Sequence, residues 1–296
     1  MMRKVGQRRQ RTLRHAVGLA GAGYLTGATV RVRFHPAPAD FGIAFLRADL
    51  CRSEPLQAVV ANVTGANRRT TLGHAPGQVE LVEHVLAALA GLKIDNCLIE
   101  LDGPELPGLD GSAAEFVQAL RETPLELQAG IREIWSPIRP VLVTDGKATL
   151  TLHPSSQPGL TVSYLLDYGR QSFLGRQVHT HRHTPTDCLN GLFENRTFLL
   201  EAEAAALRQQ GIGTKASLSD LLVFGPRGPI GNRLRYENEP ARHKVLDIFG
   251  DLSLFGRDLA GHVVGCKSGH ALNTMLVREL SEAVQSCEPA SLLLAA

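Results

Sequence analysis

A histidine and an aspartate stand four residues apart in residues 242–249, a segment typical of a helix. Side chains at i and i+4 lie on one helical face, so His243 and Asp247 can reach the same point. An imidazole and a carboxylate that converge suit a divalent metal, most naturally zinc. Lys244 and Asp251 add a cation and a second carboxylate nearby. The spacing alone is equally typical of a solvated helix face, so the choice depends on the rest of the chain.

The composition is that of a globular protein with a sizeable core. The chain has 296 residues, of which 44% are hydrophobic and 20% charged, which allows two ordinary domains or one large one. A formal net charge of +2 makes no general case for nucleic acid or membrane binding. We expect no transmembrane helix, because no uninterrupted apolar run reaches about 18 residues.

Five cysteines are scattered along the chain, and none forms a C-x-x-C pair. This pattern argues against a disulfide framework and against a cysteine zinc site, and it fits a reducing cytoplasm. Any metal must therefore be held by histidine and carboxylate side chains.

The first fourteen residues carry six basic side chains, and no acidic residue precedes Asp40. An organelle transit peptide and a phosphate-binding arm are two interpretations of this segment. A frayed basic terminus is the third, and it is the one we favour from the sequence.

The best clue to organisation is an internal repeat. Residues 84–91 and 243–250 each begin with histidine, continue as an apolar helix and end with glycine. A strand, a glycine-containing loop and an amphipathic helix follow each of them. We therefore predict an α+β protein with two similar domains, residues 1–128 and 129–296, each a sheet with two helices on one face. If the helical layers face each other, His84 approaches His243 at the interface, where small-molecule sites are common.

Periodicity also predicts individual elements. Residues 28–48 should form strand, turn and strand, residues 59–63 a strand, and residues 79–92 a helix. Further along, a polar, turn-rich stretch is predicted for 169–186, a helix for 200–210 and a strand for 218–224.

A third ligand from the first half would complete a catalytic zinc site. His84, His243 and Asp247 make a two-histidine, one-carboxylate set, and catalytic zinc typically has three protein ligands. Glu83 is placed to act as general base. His270 could protonate a leaving amine, with Asp251 stabilising the imidazolium. Each residue has a structural alternative: His84 or His270 could be a buried, hydrogen-bonded histidine, and Glu83 a solvated helix residue.

Three histidines at alternate positions, His179, His181 and His183, resemble a metal-binding tract. They lie in the polar, turn-rich stretch and have almost no carboxylate nearby. We interpret them as part of a solvated loop.

Several motifs occur in order along almost the whole chain. They are Arg11-Thr12-Leu13, Pro36-Ala37-Pro38-Ala39, Val82-Glu83-His84, 91–96, 110–113, 196–198, 242–251 and 267–273. Together they resemble the UDP-3-O-acyl-N-acetylglucosamine deacetylase family, the zinc amidases that commit bacteria to lipid A synthesis. The resemblance implies a β-α-α-β sandwich of two domains with the active site at their interface. It also implies a bacterial cytoplasmic enzyme, which we expect to be a monomer with no nucleic-acid partner.

The resemblance implies roles for the site residues. One zinc per chain would be held by His84, His243 and Asp247, with Glu83 as base and His270 as acid. Thr197 would donate to the oxyanion, and Lys244 would add positive charge near it. A β-α-β insert at about 195–224 would line an acyl passage, and Lys147 would lie on the nucleotide side. The predicted passage residues are Leu199, Leu200, Ala204, Leu207 and Leu218.

Positions near the expected substrate depart from the family pattern. Leu25 stands where the family usually has histidine, and residues 167–171 replace its Asp-Phe-x-His-Pro stretch. The alternative is therefore a divergent paralogue that binds or deacetylates another acylated amino sugar.

Overall fold

The computed structural model describes residues 1–183, 191–218 and 220–286. The elements of the first half are β1 (Met2–Leu13), β2 (Val17–Ala22), β3 (Thr29–Pro36), β4 (Ile43–Arg47), β5 (Leu56–Gln57), β6 (Val63–Gly65), β7 (Thr71–Leu72), β8 (Val79–Glu80), α1 (Glu83–Leu92), β9 (Cys97–Leu101) and α2 (Ala114–Leu120).

The second half repeats this mixture of strands and helices. Its elements are β10 (Leu125–Pro137), β11 (Val141–Asp145), β12 (Ala148–His153), β13 (Leu160–Asp167), β14 (Arg176–His183), β15 (Phe198–Leu200), α3 (Glu201–Gln209), β16 (Leu222–Gly225), β17 (Gly228–Pro229), α4 (Glu239–Leu252), β18 (Asp258–Leu259), β19 (Gly261–Cys266) and α5 (His270–Gln285).

Two five-stranded sheets share one topology. Their strand orders are β2-β3-β9-β4-β5 and β11-β12-β19-β13-β14. In each sheet the central strand pairs antiparallel with one neighbour and parallel with the other, at β3-β9-β4 and at β12-β19-β13. The internal repeat predicted from the histidine-to-glycine helices is therefore present in the sheets as well.

The helices form the layer between the sheets. Eight of the ten residues of α1 and twelve of the fourteen of α4 are buried, so neither has the single apolar stripe of a surface helix. The two helices pack on each other, and strands such as β13 alternate buried and half-buried positions. These features confirm the predicted α+β class and the two-domain sandwich. No helix in the described ranges is long and apolar enough to span a bilayer.

The basic N-terminal segment is an ordered strand. β1 pairs antiparallel with β10 over almost its entire length, so the frayed-terminus interpretation is wrong. Arg8 is half-buried in an ion-pair cluster with Asp95 of the first half and Asp258 of the second. The partners lie about 90 and 250 positions away, which is why local sequence gave no sign of this role. The domain division proposed at 128/129 falls inside β10 and stays a proposal.

Most predicted elements are present, with two differences of extent. Residues 60–62 form a 3₁₀ turn before β6 rather than the interior of a strand. Helix α1 begins at Glu83 rather than Val79, because Leu81 adopts a left-handed backbone with φ of 63° that interrupts the helical pattern. Residues 198–225 contain the β-α-β unit β15-α3-β16, in which the two strands are parallel. Among the described cysteines, Cys51, Cys97 and Cys266 are free thiols.

The histidine tract forms a strand, so the solvated-loop interpretation is wrong. Within β14 the histidines alternate with exposed residues and face inward, where His181 and His183 contact Phe249 edge-on. Burial, together with the nearby charge of Lys93, lowers the pKa of His183 to about 3. Histidine recurs at every second position here, as the inward-facing residues of a strand would. Because histidine is polar, the segment lacks the alternation of apolar and polar residues by which a strand is predicted. Residues 184–186 of the predicted loop lie outside the described residues.

Replacing His183 with phenylalanine should reduce the acid sensitivity of folding. The folded-state pKa is about 3 and the ordinary value is 6.5, so the unfolded chain takes up the proton first. Stability therefore falls as the pH drops through this window, by about 2 kcal/mol between about pH 7.5 and pH 5 for this group. Urea unfolding of both proteins at the two pH values measures the difference. An equal loss of unfolding free energy in wild type and His183→Phe would contradict the assignment.

Candidate active site

Two helices bring three potential metal ligands together. His84 is the second residue of α1, and His243 and Asp247 share one face of α4. The Asp247 Oδ1 atom lies 3.2 Å from His243 Nε2 and 3.6 Å from His84 Nε2. The two imidazole rings meet edge to face, with centroids 5.0 Å apart. One ligand atom from each residue lies within 4.8 Å of the others, so the predicted trio converges.

A glycine permits this convergence. A methyl group at Gly250, one turn after Asp247, would overlap the backbone carbonyl oxygen of Glu83. Only glycine lets the backbone of α4 lie against the first turn of α1. The approach brings Asp247 within reach of His84, the neighbour of Glu83.

The protonation states suit a bound cation. The His243 Nδ1–H group donates to the carbonyl oxygen of Asn195 at 2.9 Å, which leaves a lone pair on Nε2. Burial lowers the pKa of His243 to about 3, so the ring is neutral. Its Nε2 lone pair then faces Asp247 Oδ1, a buried carboxylate oxygen with no hydrogen-bond partner among the described residues. Two acceptors 3.2 Å apart need a positive charge between them, and the donor set fits zinc.

The second oxygen of Asp247 is held by Lys244. The Lys244 Nζ atom donates to Oδ2 at 2.7 Å and lies 5.8 Å from the centroid of the Phe198 ring. Burial opposes ionisation of Asp247, but the adjacent His243 ring and the charge of Lys244 outweigh it and hold the carboxyl pKa well below its usual range. The carboxylate is thus ionised, with one oxygen fixed and the other directed at the histidines.

The predicted proton-transfer groups lie beside this trio. His270 begins α5, and its Nδ1–H group donates to Asp251 Oδ2 at 2.8 Å. Burial disfavours the imidazolium, yet the Asp251 carboxylate outweighs it and raises the pKa of His270 to about 9. Glu83 is 3% exposed, and burial raises the pKa of its carboxyl group. A base of raised pKa and an acid that is protonated at neutral pH therefore share one site.

Thr70 connects these two groups, and the sequence did not point to it. Its backbone N–H donates to Glu83 Oε2 at 3.0 Å, and its hydroxyl donates to Asp251 Oδ1 at 2.6 Å. The side chain is fully buried. Thr70 belongs to a polar loop, and its partner Asp251 is 181 residues away, so no local pattern could have found it. Asn273 completes the network by donating to Asp251 Oδ2 at 2.8 Å.

A cavity of about 150 Å³ opens beside the trio. Four of the residues predicted to contact substrate line it: Thr197, Leu199, Ala204 and Leu207. Side chains that the sequence analysis left out line it as well, and they include Tyr24, Arg68, Arg69, Phe116, Ile212 and Val223. Leu25, noted as a departure from the family pattern, is also part of the wall.

Three predicted substrate contacts lie elsewhere. Leu200 caps α3, where its backbone N–H donates to Glu203, and its side chain packs against the core. Leu218 packs towards Gly231. Lys147 is exposed in the turn between β11 and β12. Leu200 and Leu218 are not among the residues that line this cavity, and their contact with an acyl chain stays a prediction.

Comparison with known proteins identifies a family that spans most of the chain. The model of the UDP-3-O-acyl N-acetylglycosamine deacetylase family matches residues 10–282. The chain belongs to this family. Proteins named UDP-3-O-acyl-N-acetylglucosamine deacetylase from Citrifermentans bemidjiense and Myxococcus xanthus are each 36% identical over 272 residues, 92% of this chain and 88% and 86% of theirs. The protein of that name from Acidithiobacillus ferrooxidans is 37% identical over 274 residues, covering 92% of this chain and 90% of its own.

Substituting Gly250 with alanine should separate the two helices. The added methyl group meets a backbone carbonyl that cannot rotate away, so we expect a loss of about 1–3 kcal/mol in unfolding free energy. The same shift should weaken metal retention, because His84 moves relative to Asp247. Urea unfolding and metal analysis after dialysis measure the two effects.

Gly77→Ala is the matched control for this prediction. The nearest atom to a methyl group at position 77 is the His74 carbonyl oxygen at 3.8 Å, which is ordinary contact. This variant should stay within about 0.5 kcal/mol of wild type. Wild-type stability and metal content in Gly250→Ala would show that the close approach is not required.

Proposed function

We propose that this chain is a zinc-dependent amidase that removes the N-acetyl group of UDP-3-O-acyl-N-acetylglucosamine and releases acetate. This reaction is the committed step of lipid A synthesis in the family that the sequence resembles. The observation that carries the proposal is the pair of facing lone pairs on His243 Nε2 and Asp247 Oδ1, 3.2 Å apart beside a buried glutamate. The names of the relatives support the substrate.

In this proposal His84, His243 and Asp247 hold one zinc ion. When bound, zinc supplies a Lewis acid that polarises the amide carbonyl and makes the attacking water more acidic. The neutral state of His243 and the ionised state of Asp247 support this assignment, since a metal needs both groups deprotonated. Lys244 orients the carboxylate through its 2.7 Å hydrogen bond to Oδ2.

Glu83 and His270 carry out the proton transfers. Glu83 removes a proton from the attacking water, whose oxygen forms the new bond to the carbonyl carbon. The carbon–nitrogen bond then breaks, and His270 gives its Nε2 proton to the departing nitrogen, leaving acetate and a free amine. Asp251 keeps His270 protonated before this step, and its 2.8 Å contact fixes the ring. Thr197 donates its hydroxyl to the carbonyl oxygen as negative charge develops there.

The cavity beside the trio supports the proposal that the substrate carries an acyl chain. Leu199, Ala204 and Leu207 give it an apolar wall from β15 and α3, which suits an acyl chain. Lys147 is proposed to meet the nucleotide, as in the family. We also propose that the protein acts as a monomer in a bacterial cytoplasm, which agrees with the free thiols of Cys51, Cys97 and Cys266.

A second candidate is deacetylation of a different acylated amino sugar. Leu25 favours it, because an apolar side chain stands in the cavity wall where the family usually has histidine. The metal trio and the proton-transfer pair serve both candidates equally, so the two differ only in the sugar.

Acetate release from the UDP-linked substrate tests the proposal. Purified protein should carry about one zinc per chain and release acetate. A chelator should abolish turnover, and added zinc should restore it. Glu83→Gln should keep its zinc and lower kcat by about 10²–10⁴-fold, because it removes the base without removing a ligand.

The outcomes separate the candidates. Zinc binding without acetate release from this substrate would favour the other sugar. Absence of zinc after purification and after reconstitution would reject the metal site. Full activity in Glu83→Gln would reject the general base.

Thr70→Val should lower kcat by about tenfold and leave KM unchanged. The substitution removes the hydroxyl that donates to Asp251 but keeps the backbone donor to Glu83. Thr70 does not line the substrate cavity, so substrate binding should be unaffected. Steady-state kinetics and zinc content measure these effects, and Thr70→Ser, which restores the hydroxyl, should recover activity. An unchanged kcat in Thr70→Val would remove Thr70 from the proton-transfer network.

A further inference from the structure

A second and larger cavity lies on the other side of the helical layer. It measures about 300 Å³, within the range of small-molecule sites, and no residue lines both this cavity and the one beside the metal trio. Its apolar wall comes from both halves of the molecule. Leu86 and Leu89 of α1 and Phe249 and Leu252 of α4 contribute to it.

Cationic side chains outnumber carboxylates around this cavity. Four cationic side chains and three carboxylates line it. Arg8 binds Asp95 through two hydrogen bonds of 2.7 Å, and both Arg8 and Arg132 donate to Asp258. The third carboxylate, Asp40, accepts a hydrogen bond from Gln10, a neutral residue.

Lys93 is the cation without a partner in this cluster. No described residue accepts a hydrogen bond from its ammonium group or forms an ion pair with it. Burial lowers the pKa of this amine, although the charge of Asp258 partly offsets the effect. The Lys93 side chain is half-buried and no described residue hydrogen-bonds its ammonium group, so this group is available to an anion in the cavity.

His183 is the second polar group without a partner. Its side chain is 5% exposed and lines the cavity, and neither ring nitrogen is hydrogen-bonded to a described residue. A neutral imidazole has one N–H donor to offer. Buried polar groups are normally satisfied, so an unsatisfied one on a cavity wall marks a place for a ligand atom.

We propose that this cavity binds a small monocarboxylate with an apolar chain. The carboxylate contacts the Lys93 ammonium group and the His183 N–H group, and the chain lies between α1 and α4. A single carboxylate can bond to both donors, the Lys93 ammonium group and the His183 N–H group. A phosphate fits less well, because it favours paired arginine donors and both Arg8 and Arg132 are already bound to carboxylates.

The ligand would contact both domains, since Lys93 follows α1 and His183 ends β14. A ligand that binds only the folded state stabilises it in proportion to its occupancy. The site is independent of the proposed deacetylation, because its residues are absent from the metal trio and from the substrate cavity.

Calorimetric titration of the zinc-loaded protein with octanoate tests the proposal. Wild type should bind octanoate saturably and bind 1-octanol, which lacks the charge, at least about tenfold more weakly. Lys93→Met keeps the length of the side chain and should weaken octanoate binding by at least about tenfold. His183→Phe keeps the ring shape and should also weaken it.

Lys215→Met is the matched control, because Lys215 is exposed and lines neither cavity. It should bind octanoate as wild type does. No saturable binding by wild type would overturn the proposal. Wild-type affinity in both Lys93→Met and His183→Phe would overturn it too, since the carboxylate would then lie elsewhere, for example at the metal. Equal affinity for octanoate and 1-octanol would show that the cavity binds the apolar chain and does not recognise the carboxylate, which would also overturn the proposal.

Discussion

The contact between the backbones of α1 and α4 is the constraint on which the rest of the structure depends. Gly250 lies against the carbonyl oxygen of Glu83, and no other residue fits there. Because Glu83 and His84 are consecutive, this one contact fixes the base and a potential ligand relative to α4. The sheets on either side hold the helices in place, and the two halves meet across the same contact.

This contact also concentrates polar groups in the core. Glu83, His243, Asp247, Asp251 and His270 are all at most 5% exposed. Such a cluster is stable only if its charges balance and its hydrogen bonds are satisfied. Lys244 and the backbone of residue 195 satisfy the outer atoms of the ligands, and Thr70 satisfies the proton-transfer pair. Asp247 Oδ1, which no described residue satisfies, faces the His243 ring and is an atom that a cation would meet.

The sequence predicted what local spacing and internal repetition encode. The i,i+4 pair His243 and Asp247 could be identified from one helix, and the repeat then supplied His84. It could not supply Thr70 or Arg8, because their roles come from contacts with residues far away in the chain. Nor could it show that Ile212 and Val223 line the cavity beside the metal trio, since that depends on how the β-α-β unit packs. The β14 histidines were misassigned because hydropathy treats a buried neutral histidine as a polar surface residue.

The same helical layer separates two groups of polar atoms that suit ligands of opposite charge. On one face, acceptor atoms of His243 and Asp247 converge with no donor between them, which calls for a cation. On the other face, the proposed monocarboxylate would meet the Lys93 ammonium group and the ring of His183, whose nitrogens no described residue satisfies. Both sets of residues are positioned by the same two helices, which the close approach at Gly250 holds together.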